Sequence, residues 1–242
     1  MYQNIFLDIK KMKMHLWDDT KGHLEIPFRK YAYVKHPSGQ HVSLYGDRLK
    51  KVTQFDKDDP TLHESDVPPT TRFLVDQYGD SDEASIGHRI MFFDIEVEVT
   101  EGFPDVQKAQ NPITSIALYD STTEKYFTYV FDPNKRLKSY TKDDQVVEIY
   151  ETEYEMLNQF FQKYLEIRPT IISGWNSEFF DIPYLYNRAV RVLGPEVANL
   201  LSPISQVLYS EYKKKHTIAG VSSLDYLQLY RQFTFTQQSS YR

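Results

Sequence analysis

The stretch from Met91 to Val99 limits the folds open to this chain more than any other. Read as an extended strand, it places Met91, Phe93, Ile95, Val97 and Val99 on one face and Phe92, Asp94 and Glu96 on the other. The apolar row demands a core to cover it. The opposite face holds two carboxylates, two residues apart, pointing the same way from a rigid support. Held that close, the two charges repel, and burial raises the cost, so a compensating group is expected. Carboxylate oxygens suit a hard divalent cation such as Mg²⁺ or Mn²⁺. An edge strand with a wet acidic face produces the same alternation, so this stretch alone leaves both readings open.

With 242 residues, 40% of them apolar, the chain has core material for one large domain or two small ones. Its 19 Tyr and 15 Phe suit cores with wet margins, and they also suit surfaces on which bases stack. The absence of cysteine excludes disulfides and thiolate metal sites and fits a reducing cytoplasm. Asp8 interrupts the short apolar run Ile5 to Leu7, so no signal peptide is expected, and no apolar segment approaches membrane-spanning length. The expectation is a soluble, cytoplasmic protein with no membrane partner. The net charge of −6 opposes a sequence-independent grip on phosphates, unless the binding surface is local or several acids are metal ligands. Lysines cluster at Lys10, Lys11 and Lys13, at Lys50 and Lys51, and at Lys213 to Lys215; residues 56–66 and 76–83 are acidic.

Residues 1–88 read as a small β-rich domain built on one antiparallel sheet. Strand-like runs at Ile5–Ile9, Lys13–Asp18, Ile26–Phe28, Tyr31–Val34, Val42–Tyr45 and Arg48–Thr53 are separated by turn signals such as Pro37-Ser38-Gly39. Thr70 to Tyr78 suits a short helix or an extended arm. A domain boundary is expected near residue 88. Beyond it, strands at 89–99, 113–119 and 125–131 form an antiparallel meander, residues 132–145 form a charged loop, and Val146–Tyr150 is a possible fourth strand. Glu153 to Arg168 is an amphipathic helix with Leu157, Phe160, Phe161, Tyr164 and Leu165 on its apolar face and Pro169 after its end. A short buried strand at 170–175 precedes a second helix opening at Asp181-Ile182-Pro183 and ending at Gly194. Gln206 to Ile218 reads as a hairpin, Val221 to Leu229 as a mixed apolar run, and the residues from Thr234 on are polar. The fold class is thus α/β (α+β), a mixed sheet with flanking helices.

Asp181 sits where a strand gives way to a helix, the end of a mixed sheet at which ligands collect. A carboxylate there also suits a plain helix cap. Its surroundings, Ser173-Gly174-Trp175-Asn176-Ser177-Glu178-Phe179-Phe180-Asp181-Ile182-Pro183-Tyr184, are distinctive.

Together these residues resemble the N-terminal part of family-B replicative DNA polymerases, most closely those of T-even-like tailed phages. Phe93-Asp94-Ile95-Glu96 is similar to the first motif of their 3′→5′ exonuclease, and Asn176 to Asp181 to the second. Gly102-Phe103-Pro104, Asn111-Pro112-Ile113, Ser222 to Tyr226 and Tyr230 to Phe233 match the surrounding pattern, with a weaker likeness at Tyr31 to Lys35. The resemblance implies a ribonuclease-H-like exonuclease domain over residues 89–242, C-terminally incomplete, after the β-rich domain of 1–88. It implies proofreading hydrolysis of DNA with two Mg²⁺ ions, Mn²⁺ being the alternative, held by the catalytic acids Asp94, Glu96 and Asp181. The expected DNA contacts are Phe103, Asn176 and Phe180, together with the local positive charge of Lys213, Lys214 and Lys215. Phe103 and Phe180 serve equally well as packing residues. The implied partners are single-stranded or primer-template DNA, a C-terminal polymerase half and replisome proteins such as a sliding clamp, in the cytoplasm of a host cell.

The sequence also departs from the family pattern. The family's fourth exonuclease acid follows a tyrosine at Tyr-x-x-x-Asp spacing, whereas the one aspartate after Asp181 is Asp225, which has no tyrosine four residues before it. By the same resemblance the polymerase palm and fingers are expected outside this sequence, and the stretch between Ser202-Pro203 and Gly220-Val221 is shorter than the family's hairpin. The expectation is therefore DNA binding with slow hydrolysis by this chain alone. A non-catalytic DNA-binding or scaffolding half of a split polymerase is the alternative.

Overall fold

A computed structural model describes residues 1–100 and 102–234. The polar stretch expected from Thr234 onward lies, beyond Thr234 itself, outside the described residues. The chain divides into two compact units, Met1–Ile86 and Gly87–Arg242.

In the first unit, β1 (Tyr2–Asp8), β2 (Lys13–Asp18) and β3 (Gly22–Pro27) form a three-stranded antiparallel meander. A separate sheet joins β4 (Ala32–Lys35), β5 (His41–Val42), β6 (Arg48–Val52) and β7 (Leu62–His63) in the order β5-β6-β4-β7. The single sheet expected from the sequence is therefore two. β3 ends at Pro27, which has no N–H to give a ladder, and the next strand, from Ala32, belongs to the other sheet. Helix α1 (Pro69–Tyr78) settles the helix-or-arm alternative, and its Phe73 packs on Met14, Leu16 and Phe28.

The second unit is a seven-stranded mixed sheet built from β8 (Ile90–Val97), β9 (Ile113–Asp120), β10 (Lys125–Phe131), β11 (Tyr140–Lys142), β12 (Gln145–Tyr150), β13 (Ile171–Gly174) and the later β16 (Ser222–Asp225). The order is β11-β12-β10-β9-β8-β13-β16. The expected meander β8-β9-β10 is present, and β13 adds to β8, and β16 to β13, in parallel. Helices α2 (Glu153–Ile167) and α3 (Asp181–Val192) share one core with the sheet. The alternation in β8 holds: Met91, Phe93 and Ile95 are buried, whereas Phe92, Asp94 and Glu96 are exposed. The row ends sooner than its sequence suggests, for Val99 lies beyond the strand and is 65% exposed.

Thr152 caps α2, its hydroxyl accepting from the Glu155 amide at 3.2 Å, and Arg168 ends the helix at φ 48°. Leu165 is exposed rather than part of the buried stripe. After α3 come the short α4 (Pro195–Ala198) and a 3₁₀ turn, Asn199–Leu201. A hairpin of β14 (Val207–Ser210) and β15 (Lys215–Ile218) follows, and β16 leads into α5 (Tyr226–Phe233).

Candidate active site

The parallel strands β8, β13 and β16 all end at the same side of the sheet, and β13 is short. It pairs with β8 only from Ile90 to Phe92, so the edge of β8 beyond Phe92 is left without a strand partner on that side. Gly174, the last residue of β13, lies so close to β8 that a Cβ there would stand 2.6 Å from the Phe93 carbonyl oxygen. Only glycine permits that approach.

Asp181 fills the opening beyond. It is the first residue of α3, and one of its carboxylate oxygens accepts the Ile95 amide at 3.0 Å. The N-cap position belongs to Phe180, which makes no side-chain cap bond, so Asp181 links the helix to β8 across the sheet. The side chain is buried, and burial is the main reason its pKa is pushed up to about 7. The Ile95 amide works against that rise, and the neighbouring charge of Asp94 adds to it. Asp94 lies on the exposed face of β8, yet partial desolvation of its carboxylate there raises its pKa as well. The fold thus brings Asp94 and Asp181 together in surroundings that penalise two bare anions.

Glu96 stands on the same face of β8, two residues past Asp94. It borders a pocket of about 360 Å³ with Ile95, Val97, Gly102, Phe103 and Phe180 among its walls. Among the described residues, no three acidic or histidine side chains stand close enough to form a ready metal cage. The three expected acids therefore share one end of the sheet without forming a closed ligand set.

Asp225 ends β16 beside Gly174, close to Asp181. Its oxygens are already committed. Oδ1 accepts the amides of Asn176 (3.0 Å) and Leu227 (2.9 Å), and Oδ2 accepts that of Glu178 (3.1 Å). It caps α5 and shapes the turn ahead of Asp181. That commitment makes Asp225 a poor substitute for a fourth catalytic acid.

Of the expected DNA contacts, Phe103 and Phe180 face each other with ring centroids 5.2 Å apart, and Phe103 is 80% exposed. Asn176 occupies the left-handed region at φ 62°, which asparagine tolerates, and its carbonyl accepts the amides of Phe179 and Phe180. The lysine cluster is less free than its sequence suggests. Lys214 pairs with Glu211 at 3.0 Å and Lys215 with Glu178 at 2.9 Å, so Lys213 alone of the three has no carboxylate partner among the described residues.

Sequence reasoning missed a second set of residues on α3. Tyr184, Asn187, Arg188 and Arg191 form a stripe at spacings of three and four, and all donate to main-chain carbonyls of residues 106–111. The apolar periodicity of this helix drew attention to its other face. The signal available was the run of Asn187, Arg188 and Arg191 beside the core residue Tyr184, polar positions on a helix that otherwise packs into the core.

Comparison with known proteins follows the same residues. The family described as DNA polymerase family B, exonuclease domain, matches residues 80–242. The DNA-directed DNA polymerase of Escherichia phage RB69 is 33% identical over 182 residues, 63% of this chain and 20% of that protein. The enzyme of the same name from Enterobacteria phage T4 is 35% identical over 176 residues, 60% of this chain and 19% of its own length. DNA polymerase 1 of Saccharolobus solfataricus is 40% identical over 148 residues, 61% of this chain and 15% of that protein. The chain thus spans about a fifth of the length of the phage relatives it matches. The mixed sheet agrees with the ribonuclease-H-like exonuclease fold expected from the sequence. With a match over most of its length, and the paired motifs meeting at one end of that sheet, the chain belongs to the family-B DNA polymerases through their exonuclease domain.

Proposed function

We propose that the second unit hydrolyses DNA from its 3′ end, as the proofreading nuclease of a phage replicative polymerase acting in the host cytoplasm. The observation that supports this reading is the meeting of Asp94 and Asp181 at the carboxyl ends of the parallel strands, where burial lifts both acids. The donor set fits Mg²⁺ or Mn²⁺: every candidate ligand is a carboxylate oxygen, and a cation would offset the burial cost of Asp181 and its smaller repulsion from Asp94. Asp94, Glu96 and Asp181 are the residues that would hold it. Bound there, a divalent ion supplies an activated water and charge stabilisation for the leaving 3′ oxygen. The water oxygen would bond to the terminal phosphorus and give up a proton to solvent, the bond from phosphorus to the 3′ oxygen would break, the 3′ oxygen would take up a proton, and a 5′-mononucleotide would leave.

The protein's own contribution is position. The Ile95 amide fixes Asp181 against β8, and Asp225 fixes the turn ahead of it. Phe103 and Phe180 offer rings to the terminal base, Asn176 shapes the turn between the strand and Asp181, and Lys213 offers a charge to phosphate. Among the described residues no three acids form a closed group, which favours a second reading, a module that binds DNA without turning it over.

One assay separates the two: release of nucleotides from 3′-labelled single-stranded DNA in Mg²⁺ and then Mn²⁺. The chain is tested alone and after addition of a polypeptide carrying the rest of the polymerase. Exonuclease function predicts slow release alone, faster release with the complement, and loss of both in Asp94→Ala. DNA binding with no release in either setting supports the binding module.

A further inference from the structure

Among the described residues, the 98–112 connection from β8 to β9 has no strand or helix; Asp105 shapes a turn within it, its carboxylate accepting the amides of Gln107 and Lys108 and its carbonyl that of Ala109, and the remaining support comes from outside. Ala109, which closes that turn at φ 40°, is fully buried. The support comes from α3. Tyr184 donates its hydroxyl to the Asn111 carbonyl (2.9 Å), and Asn187 donates Nδ2 to that of Val106 (2.9 Å). Arg188 donates Nη1 to the carbonyls of Gln110 (2.7 Å) and Ala109 (3.2 Å). Its Nε and Nη2 reach the two Glu153 oxygens at 2.8 and 2.6 Å. Glu153 opens α2, and its Oε1 also accepts the amide of Ile113, the first residue of β9.

One side chain therefore ties the connection to two helices. The same helix begins with Asp181 bound to β8, immediately after Phe180, whose ring faces Phe103. Helix α3 thus anchors Asp181 at its start and supports the connection that carries Phe103 along its length.

We propose that Arg188 is a positioning residue for the 3′-terminal nucleotide: by clamping Ala109 and Gln110 to α2 and α3 it sets Phe103 against Phe180 beside Glu96. The ligand in this statement rests on the exonuclease reading; the clamp rests on the geometry alone. Lysine is no substitute, because one ammonium lacks the planar fork that spans a carboxylate and two carbonyls.

The test uses Arg188→Lys, which keeps a charge opposite Glu153, and Asn187→Ala, which leaves that ion pair intact. Two readouts are compared: amide hydrogen exchange, and the fluorescence of single-stranded DNA carrying 2-aminopurine at its 3′ end or internally, with Ca²⁺ present. In Arg188→Lys, exchange at the amides of Glu98 and Ala109 rises at least about tenfold while that of β13 is unchanged. The 3′-terminal signal is lost, while overall affinity changes less than about twofold; Phe103→Ala loses the same signal, and the double variant loses nothing more. Asn187→Ala moves both readouts in the same direction by less. Unchanged exchange in both variants overturns the proposal, as does additivity with Phe103→Ala or a matching rise in β13. A native chain that shows no 3′-terminal signal, with the connection still loosened by Arg188→Lys, overturns the exonuclease reading and the nucleotide role with it, but not the clamp.

Discussion

Asp181 carries a conflict between stability and chemistry. The folded chain holds its proton up to about 7, whereas the unfolded carboxyl gives it up near 3.8. Folding is therefore penalised progressively as pH rises from 3.8 to about 7, and the penalty levels off above that. Asp181→Asn keeps an oxygen for the Ile95 amide and removes the ionisation. In chelator, the variant should melt above the native chain by at least about 4 °C at pH 8, with a much smaller gap at pH 4.5. Saturating Mg²⁺ should narrow the gap at pH 8, because the ion binds the folded native chain alone. Equal melting at pH 8 would mean that the site already neutralises Asp181.

Among the elements, the close approach of β13 to β8 creates the opening that Asp181 fills. Gly174→Ala places a methyl group 2.6 Å from the Phe93 carbonyl and 3.0 Å from Ser177 Cβ, and backbone cannot yield cheaply. Denaturant titration should show a loss of about 1–3 kcal/mol, as for an overpacked core, with faster exchange at the Ile95 amide. Full stability with unchanged exchange would contradict the contact. Gly174 shows where sequence reading stopped. The alternation of β8 and the capped stripe of α2 were legible because local periodicity records which face is buried. Gly174 was visible only as part of a motif, since its reason is a neighbouring strand 81 residues away in sequence, Phe93 against Gly174. Asp225 was legible as an acid, but its commitment to three amides appears only in the folded turn. β7 and β11, of two and three residues, are too short to show periodicity. The break at Pro27 could have been read, because a missing donor is a local property.

At the scale of the whole molecule, charge decides how DNA is met. The chain is acidic overall at −6, and two of the three hairpin lysines are spent on Glu211 and Glu178. The steep salt dependence that a free lysine cluster would give is therefore not expected. Each neutralised phosphate of single-stranded DNA contributes about 0.7 to the slope of log affinity against log salt, so one or two contacts predict a slope of roughly −1. Fluorescence anisotropy across a salt series measures it directly, and a slope of about −3 or steeper would require a basic surface elsewhere on the chain.

The exonuclease reading rests on the acids at the ends of β8 and α3 holding divalent metal. The most direct measurement is anomalous diffraction at the manganese edge from crystals of the chain soaked in Mn²⁺. The account predicts density at Asp94, on the side facing Asp181 and Glu96, that disappears in Asp94→Ala. Manganese bound only elsewhere, or density at this site that persists without the Asp94 carboxylate, would contradict it.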